Sequence, residues 1–242
     1  MRAMILAAGR GTRLQALTEN TPKALVKAGG MSLLERLIIK MKVQGVSEIV
    51  INVHHFADQI TAFLQEKDYF NIPIDISDES SKLLETGGGI LKARPFLDDK
   101  EPFIVHNVDV LSDIDLRKVY EQHVSSGALS TLAVKSRKTS RYILFDDDLQ
   151  MQGWENRSTG EQIIPGNTEK SLTPMAFSGI HVMSPDIFPL FTETGRFSII
   201  ETYLRLCKDQ MIKGFSHDEG LWLDAGKPEG LETAKMLLGE VG

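Results

Sequence analysis

Short apolar runs alternate with amphipathic stretches through the first 135 residues. Arg2 to Leu6, Glu48 to Val53, Ile72 to Ser77, Pro102 to His106 and Leu129 to Lys135 are strand-length, and Glu48-Ile49-Val50-Ile51-Asn52-Val53 is rich in β-branched residues, so each reads as a strand. Helix patterns stand between them. Ser32-Leu33-Leu34-Glu35 is a capping box, and the helix it opens carries Leu33, Leu34, Leu37, Ile38 and Met41 on one face before Gly45 ends it. His55 to Glu66 has Phe56, Ile60, Phe63 and Leu64 as its apolar side, Gly88 to Ala93 opens a short helix, and Leu116 to His123 is a further one. Strands that alternate with helices pair in parallel, because each crossover returns the chain to the same edge of the sheet.

The expected fold is therefore α/β, a doubly wound, mostly parallel, Rossmann-like mixed sheet. From Ser136 the texture changes. Arg141 to Phe145 and Leu149 to Trp154 flank Asp146-Asp147-Asp148 as a hairpin, Glu155 to Pro174 is polar and turn-rich, and Pro174 to Met183 returns to strand. Ser198 to Cys207 and Pro228 to Leu238 read as helices, the second with Pro228 in its first turn and Gly239 past its end. With 242 residues and no linker, the expectation is one domain over 1–242, with a first half over 1–135 and a smaller β-rich half over 136–242.

Composition narrows the function classes. The 27 basic and 33 acidic residues give a net charge of −6, which argues against nucleic acid as a partner bound through a broad basic field. No apolar run approaches a membrane span, and the first residues lack a signal-peptide pattern, so the expectation is a cytoplasmic protein with no membrane partner. Cys207 is the only cysteine, so no internal disulfide can form. The six histidines show no zinc spacing.

Directly after the first strand come Gly9, Gly11, Arg13 and, behind Pro22, Lys23. The dinucleotide fingerprint fails at Leu14, and the Walker pattern is absent. The physics still suits phosphate. Glycines let backbone N–H groups approach an anion, open α/β sheets bind ligands outside the carboxyl ends of their strands, and an arginine fork with a lysine point charge matches phosphate oxygens. By spacing alone, an ordinary glycine turn with solvated basic residues fits equally well.

The composite Gly9-x-Gly11-Thr12-Arg13-Leu14, Leu17-Thr18 and Pro22-Lys23-Ala24-Leu25 resembles the signature of the sugar-phosphate nucleotidylyltransferases. Similar blocks continue at Leu84-Glu85-Thr86-Gly87-Gly88-Gly89, Asn107-Val108-Asp109, Phe177-Ser178-Gly179 and Trp222-Leu223-Asp224-Ala225-Gly226, so the resemblance spans nearly the whole chain. Within the family, the Leu84–Gly89 block and the ending at Trp222 look most like N-acetylmuramate-1-phosphate uridylyltransferases. The resemblance implies transfer of a nucleotidyl group from an NTP to a sugar-1-phosphate with release of pyrophosphate, a nucleotide-binding first half and a sugar-phosphate-binding second half. It implies Arg13 and Lys23 as the charged catalytic pair, and Leu6, Ala7, Ala8, Gly9, Gly11, Thr12, Glu85, Thr86, Gly87, Gly88 and Asn107 at the nucleotide. It implies Asp109 and Asp224 as ligands of Mg²⁺, although each alone would read as a cap or turn aspartate. Gly179 is the implied sugar contact, with Asn167 and Glu201 as weaker candidates for which a loop asparagine and a solvated helix face are the plainer readings. Trp222 reads as core, and a homodimer is compatible with the resemblance.

Three departures stand out. Val108 replaces a usual glycine, and would resist an unusual backbone angle there. Ala16 stands for a common proline, and Gly29-Gly30-Met31 stands where a lysine-proline pair often appears. The sequence leaves open a GTP-dependent mannose- or heptose-1-phosphate enzyme, a more distant choline-phosphate cytidylyltransferase, and a non-catalytic nucleotide-sugar sensor. An acidic group on the sugar would need a cation that the sequence does not reveal.

Overall fold

The computed structural model describes residues 1–99, 101–166 and 171–239. In chain order its elements are β1 (Arg2–Leu6), β2 (Lys27–Ala28), β3 (Met31–Ser32), α1 (Leu33–Val43), β4 (Glu48–Val53), α2 (Ala57–Glu66), β5 (Ile74–Asp78), α3 (Glu85–Lys92), α4 (Arg94–Leu97), β6 (Phe103–Asn107), β7 (Val110–Ser112) and α5 (Leu116–Ser126). They continue as β8 (Ser130–Lys135), β9 (Arg141–Phe145), β10 (Met151–Asn156), β11 (Glu161–Ile163), β12 (Thr173–Met183), α6 (Ile199–Leu206), β13 (Ile212–Ser216), β14 (Trp222–Asp224) and α7 (Pro228–Leu237).

Among the described residues, one sheet of ten strands runs β11-β10-β9-β12-β6-β1-β4-β5, with β8 also on β12 and β13 on β8. The first-half strands β6, β1, β4 and β5 are parallel throughout. The second half adds β12 antiparallel to β6, and the β9–β10–β11 ribbon extends the sheet. The sheet is therefore the mixed α/β sheet that the alternation predicts.

Two cores cover its faces because successive side chains of a strand point to opposite sides. Ala3 and Ile5 of β1 pack with Leu37, Ile38 and Met41 of α1 and with Leu116 and Val119 of α5. Met4 of the same strand packs on the other face with Ile90 of α3, Leu97 of α4 and Tyr203 of α6. The start of α1 is fixed by Ser32, whose Oγ accepts the Glu35 N–H at 3.1 Å. A third, smaller core joins Leu14, Val26 and Ala28 from the chain after β1 to Ala225 just after β14 and to Leu231 and Ala234 of α7. It ties the loop bearing Arg13 and Lys23 to the segment bearing Asp224.

Two expectations shift. The loop after β1 is wound into short 3₁₀ turns at Thr12–Thr18 and Lys23–Leu25. The helix expected to open at Gly88 begins at Glu85 and takes the glycines into its first turns. The sequence reading also passed over β13, which pairs in parallel with β8.

Candidate active site

β1, β4 and β6 end level with one another, since Leu6 is in register with Asn52 on one side and Asn107 on the other. A cleft of about 350 Å³ opens at these carboxyl ends. Leu6, Ala8, Gly9, Arg13 and Lys23 line it from β1 and its loop, Glu85 and Thr86 from α3, and Asn107 and Asp109 from the end of β6. Asn52, Leu83 and Ser198 also line it, and no sequence signal pointed to them. Ala7 is buried and donates its N–H to Asn52 Oδ1 at 2.7 Å. Gly11 takes a left-handed φ of 66° ahead of the exposed Thr12, and neither lines the cleft.

The four charged residues converge. Lys23 Nζ lies 2.7 Å from Asp109 Oδ2, and Arg13 reaches Asp224 Oδ2 at 3.1 Å and Asp109 Oδ2 at 3.9 Å. The convergence comes from a two-stranded ribbon. β7 follows Asp109 and pairs antiparallel with β14, which places Asp224 opposite Val110, and the Ala225 N–H donates to the Asp109 carbonyl at 2.8 Å. Strands of three residues are too short to show a period, and their pairing across more than 100 residues of chain leaves no mark in the local sequence. Lys227 adds a further cation 3.6 Å from Asp224.

Val108 causes no distortion. Its backbone is not in the left-handed region, its side chain is fully buried, and its N–H donates to the Leu6 carbonyl at 3.2 Å. The Asp109 carboxyl is almost fully buried, and burial alone would raise its pKa. Lys23 and Arg13 outweigh that and hold it below the usual carboxylate range.

The segment that leads into α3 is held by a buried relay. The fully buried Glu79 accepts from Asn52 Nδ2 at 2.7 Å and from the Leu84 N–H at 3.1 Å, and Asn52 in turn accepts from Ala7. Both walls of the cleft thus hang from one carboxylate. Thr86 Oγ1 accepts the Ile199 N–H at 2.9 Å, and Glu85 pairs with Arg196 across the mouth. Gly87 and Gly88 are buried away from the cleft. A Cβ on Gly87 would overlap the Phe197 ring, and one on Gly88 would overlap the Gly195 carbonyl oxygen. The close approach that these glycines permit is to the chain itself.

The sugar-side candidates separate. Gly179 sits against Asn107, where a Cβ would come within 2.6 Å of its amide nitrogen, so it borders the cleft wall. The Glu201 carboxylate accepts the Ser198 N–H at 2.9 Å as part of the capping box of α6, which commits it to its own helix. Asn167 lies outside the described residues. Trp222 is half-buried, with Arg137 stacked on it.

Among the described residues no three His, Cys, Asp or Glu side chains converge. Asp109 and Asp224 nevertheless face one point: a Cβ on Gly226 would overlap Asp109 Oδ2 and come within 3.0 Å of Asp224 Oδ1. Two carboxylates with room beside them fit Mg²⁺, which takes its remaining ligands from phosphate oxygens and water. Asp109 and Asp224 would hold it. Among the described residues no helix is long and apolar enough to cross a membrane.

The family model described as nucleotidyl transferase matches residues 2–240. The N-acetylmuramate alpha-1-phosphate uridylyltransferase of Neisseria meningitidis is 32% identical, with 99% of each chain covered. Its namesake in Caulobacter vibrioides is 29% identical over 98% of this chain and 97% of its own. The crystal structure of HddC from Yersinia pseudotuberculosis complexed with GMP-PN superposes with a TM-score of 0.78 at 24% identity, covers 98% of both chains and shares the fold. On the match over nearly its whole length, the chain belongs to the nucleotidyl transferase family, as a sugar-phosphate nucleotidylyltransferase.

Proposed function

We propose that the protein transfers a uridylyl group from UTP to N-acetylmuramate-1-phosphate in a Mg²⁺-dependent reaction, forming the UDP-sugar and pyrophosphate. The observation that carries the chemistry is the meeting of Lys23, Arg13, Asp109 and Asp224 beside the cleft at the carboxyl ends of β1 and β6. An oxygen of the sugar phosphate attacks the α-phosphorus of the nucleotide. The bond from that phosphorus to the bridging oxygen breaks, and the electron pair leaves on pyrophosphate. The attacking oxygen is already ionised at neutral pH, so no general base is needed, and catalysis rests on alignment and charge neutralisation. Lys23 and Arg13 are placed to exchange their carboxylate partners for the triphosphate and to neutralise the departing pyrophosphate. Mg²⁺, when bound, supplies Lewis-acid stabilisation of the phosphate oxygens. Glu85 and Thr86 face the nucleoside from one wall, and Leu6 and Ala8 from the other. Uridine and the muramate sugar are supported by the two uridylyltransferases that match along their full length.

The test is pyrophosphate release with Mg²⁺, one NTP at a time and a panel of sugar-1-phosphates. The expected result is release with UTP and N-acetylmuramate-1-phosphate, abolished by Asp109→Ala. Release only with GTP and mannose- or heptose-1-phosphate overturns the base and sugar. Nucleotide binding with no release from any pair overturns the enzymatic reading in favour of a sensor.

A further inference from the structure

Two residues before Asp224, and so on the same face of β14, stands Trp222. The Arg137 guanidinium lies over its ring, 3.8 Å from the centroid. Arg137 Nη2 donates to the Phe177 carbonyl at 2.9 Å, and Trp222 Nε1 donates to the Ser178 carbonyl at 2.9 Å. Arginine and tryptophan are thus both fixed by the two residues that precede Gly179. The loop that presents Arg137 is itself anchored, because Lys135 Nζ donates to the Asp218 and Gly220 carbonyls, each at 2.6 Å.

This cation is held firmly but is short of partners. Its Nε is buried without a hydrogen bond, and among the described residues no carboxylate lies within ion-pair distance of it. Asp224 acts on it only through space. Half-burying a guanidinium carries a desolvation penalty, and beside a neutral sugar that penalty goes uncompensated, because hydroxyl groups offer only neutral acceptors. A carboxylate offers two oxygens at the spacing of the guanidinium fork. The indole beneath sets the plane of the fork and adds its own attraction for the cation. Gly179 borders Asn107 of the cleft wall and Trp222 stands two residues before Asp224, so an acceptor whose phosphate met Asp109 and Asp224 and whose ring passed Gly179 would come to Trp222 and Arg137.

We propose that Arg137, presented on Trp222, binds a carboxylate carried by the sugar of the acceptor and so selects an acidic sugar-1-phosphate over a neutral one. The inference deepens the proposed function and rests on it. An oxyanion at this position could also be the 1-phosphate that every acceptor carries, and the experiment separates the two sources.

N-acetylmuramate-1-phosphate and N-acetylglucosamine-1-phosphate differ only in the lactyl ether and its carboxylate. The measurement is kcat/KM for both, in the wild type, Arg137→Gln and Arg137→Lys, with thermal unfolding to verify that each variant is folded. Arg137→Gln should lower the ratio of acidic to neutral acceptor about 10- to 100-fold, the range of a charge-assisted hydrogen-bonded contact. Arg137→Lys keeps the charge but loses the fork, and should fall between. Equal loss on both acceptors would assign Arg137 to the phosphate or to the fold and overturn the inference. A wild type that prefers the acidic sugar together with a variant that keeps the preference overturns the inference alone. A wild type that prefers the neutral sugar overturns both the inference and the proposed substrate.

Discussion

Lys23 and Arg13 meet the same two carboxylates from different surroundings, and their removal should have different consequences. The Lys23 and Asp109 side chains are 13% and 9% exposed, whereas Arg13 is 52% exposed. Lys23→Met strands a buried carboxylate, and breaking a buried pair by removing one partner costs about 3–5 kcal/mol. Arg13→Ala breaks a solvated contact, which is worth about 0–1 kcal/mol. Each should cost activity about 10²- to 10³-fold through loss of charge stabilisation on the leaving group. Urea unfolding beside pyrophosphate release would show the split, and equal stability losses in the two variants would refute it. The relay through Glu79 carries a second prediction. Glu79→Ala leaves the Asn52 amide and the Leu84 N–H without their acceptor, at about 1–3 kcal/mol for each buried group. Leu84 leads into Glu85 and Thr86, so the KM for the nucleotide should rise more than kcat falls. A fall in kcat alone would show that the relay does not position the nucleotide.

α3 shows how an element can be legible in outline and misread in detail. A run of three glycines carries poor helix propensity, so sequence reasoning opens the helix only at Gly88, three residues after its true start. All three glycines lie in the first turns of α3, where the backbone around Gly195 and the Phe197 ring pack against that helix more closely than any side chain would allow. The partner is more than 100 residues away in the chain, and local pattern cannot report it. Gly88→Ala should therefore destabilise the protein by about 1–3 kcal/mol through overpacking, although alanine is the better helix former. It should also weaken nucleotide binding, because Glu85 and Thr86 move with the helix. A variant as stable as the wild type in urea would mean that the packing is looser than the geometry requires. The same contrast runs through the site. Arg13, Lys23, Asp109 and Asp224 are visible as motif residues at fixed places. Asn52 and Glu79 are not, since Asn52 is the next-to-last residue of an ordinary strand and its partners stand 45 and 27 residues away.

At the scale of the whole molecule, the two faces of the sheet bury histidines that the chemistry does not use, and these set the response to acid. Burial pushes His106 and His181 down to about 3 and His123 to about 4, from an ordinary value of 6.5. The folded protein thus keeps them neutral where the unfolded chain takes up protons. Below pH 6.5 the unfolded state binds more protons than the native state, so stability is fully present above that pH and is lost as the pH falls toward the folded values. Well below 6.5 the loss approaches about 1.4 kcal/mol per pH unit for each histidine. Carboxylates act only lower down: Glu193, held at about 2 chiefly by hydrogen bonds from Arg205, contributes between its ordinary 4.5 and that value. Urea unfolding at pH 6.5, 5.5 and 4.5 should therefore show a steep decline before the carboxylates titrate. His123 is the cleanest probe, because burial alone lowers its pKa and its ring, on α5, bonds Thr131 of β8 at 3.1 Å. His123→Gln can keep a hydrogen bond to Thr131 while removing the titrating ring, so it should flatten the decline by about one histidine's share. An unchanged slope in that variant would place the acid response in other groups and show that the neutral buried ring is not what links this fold to pH.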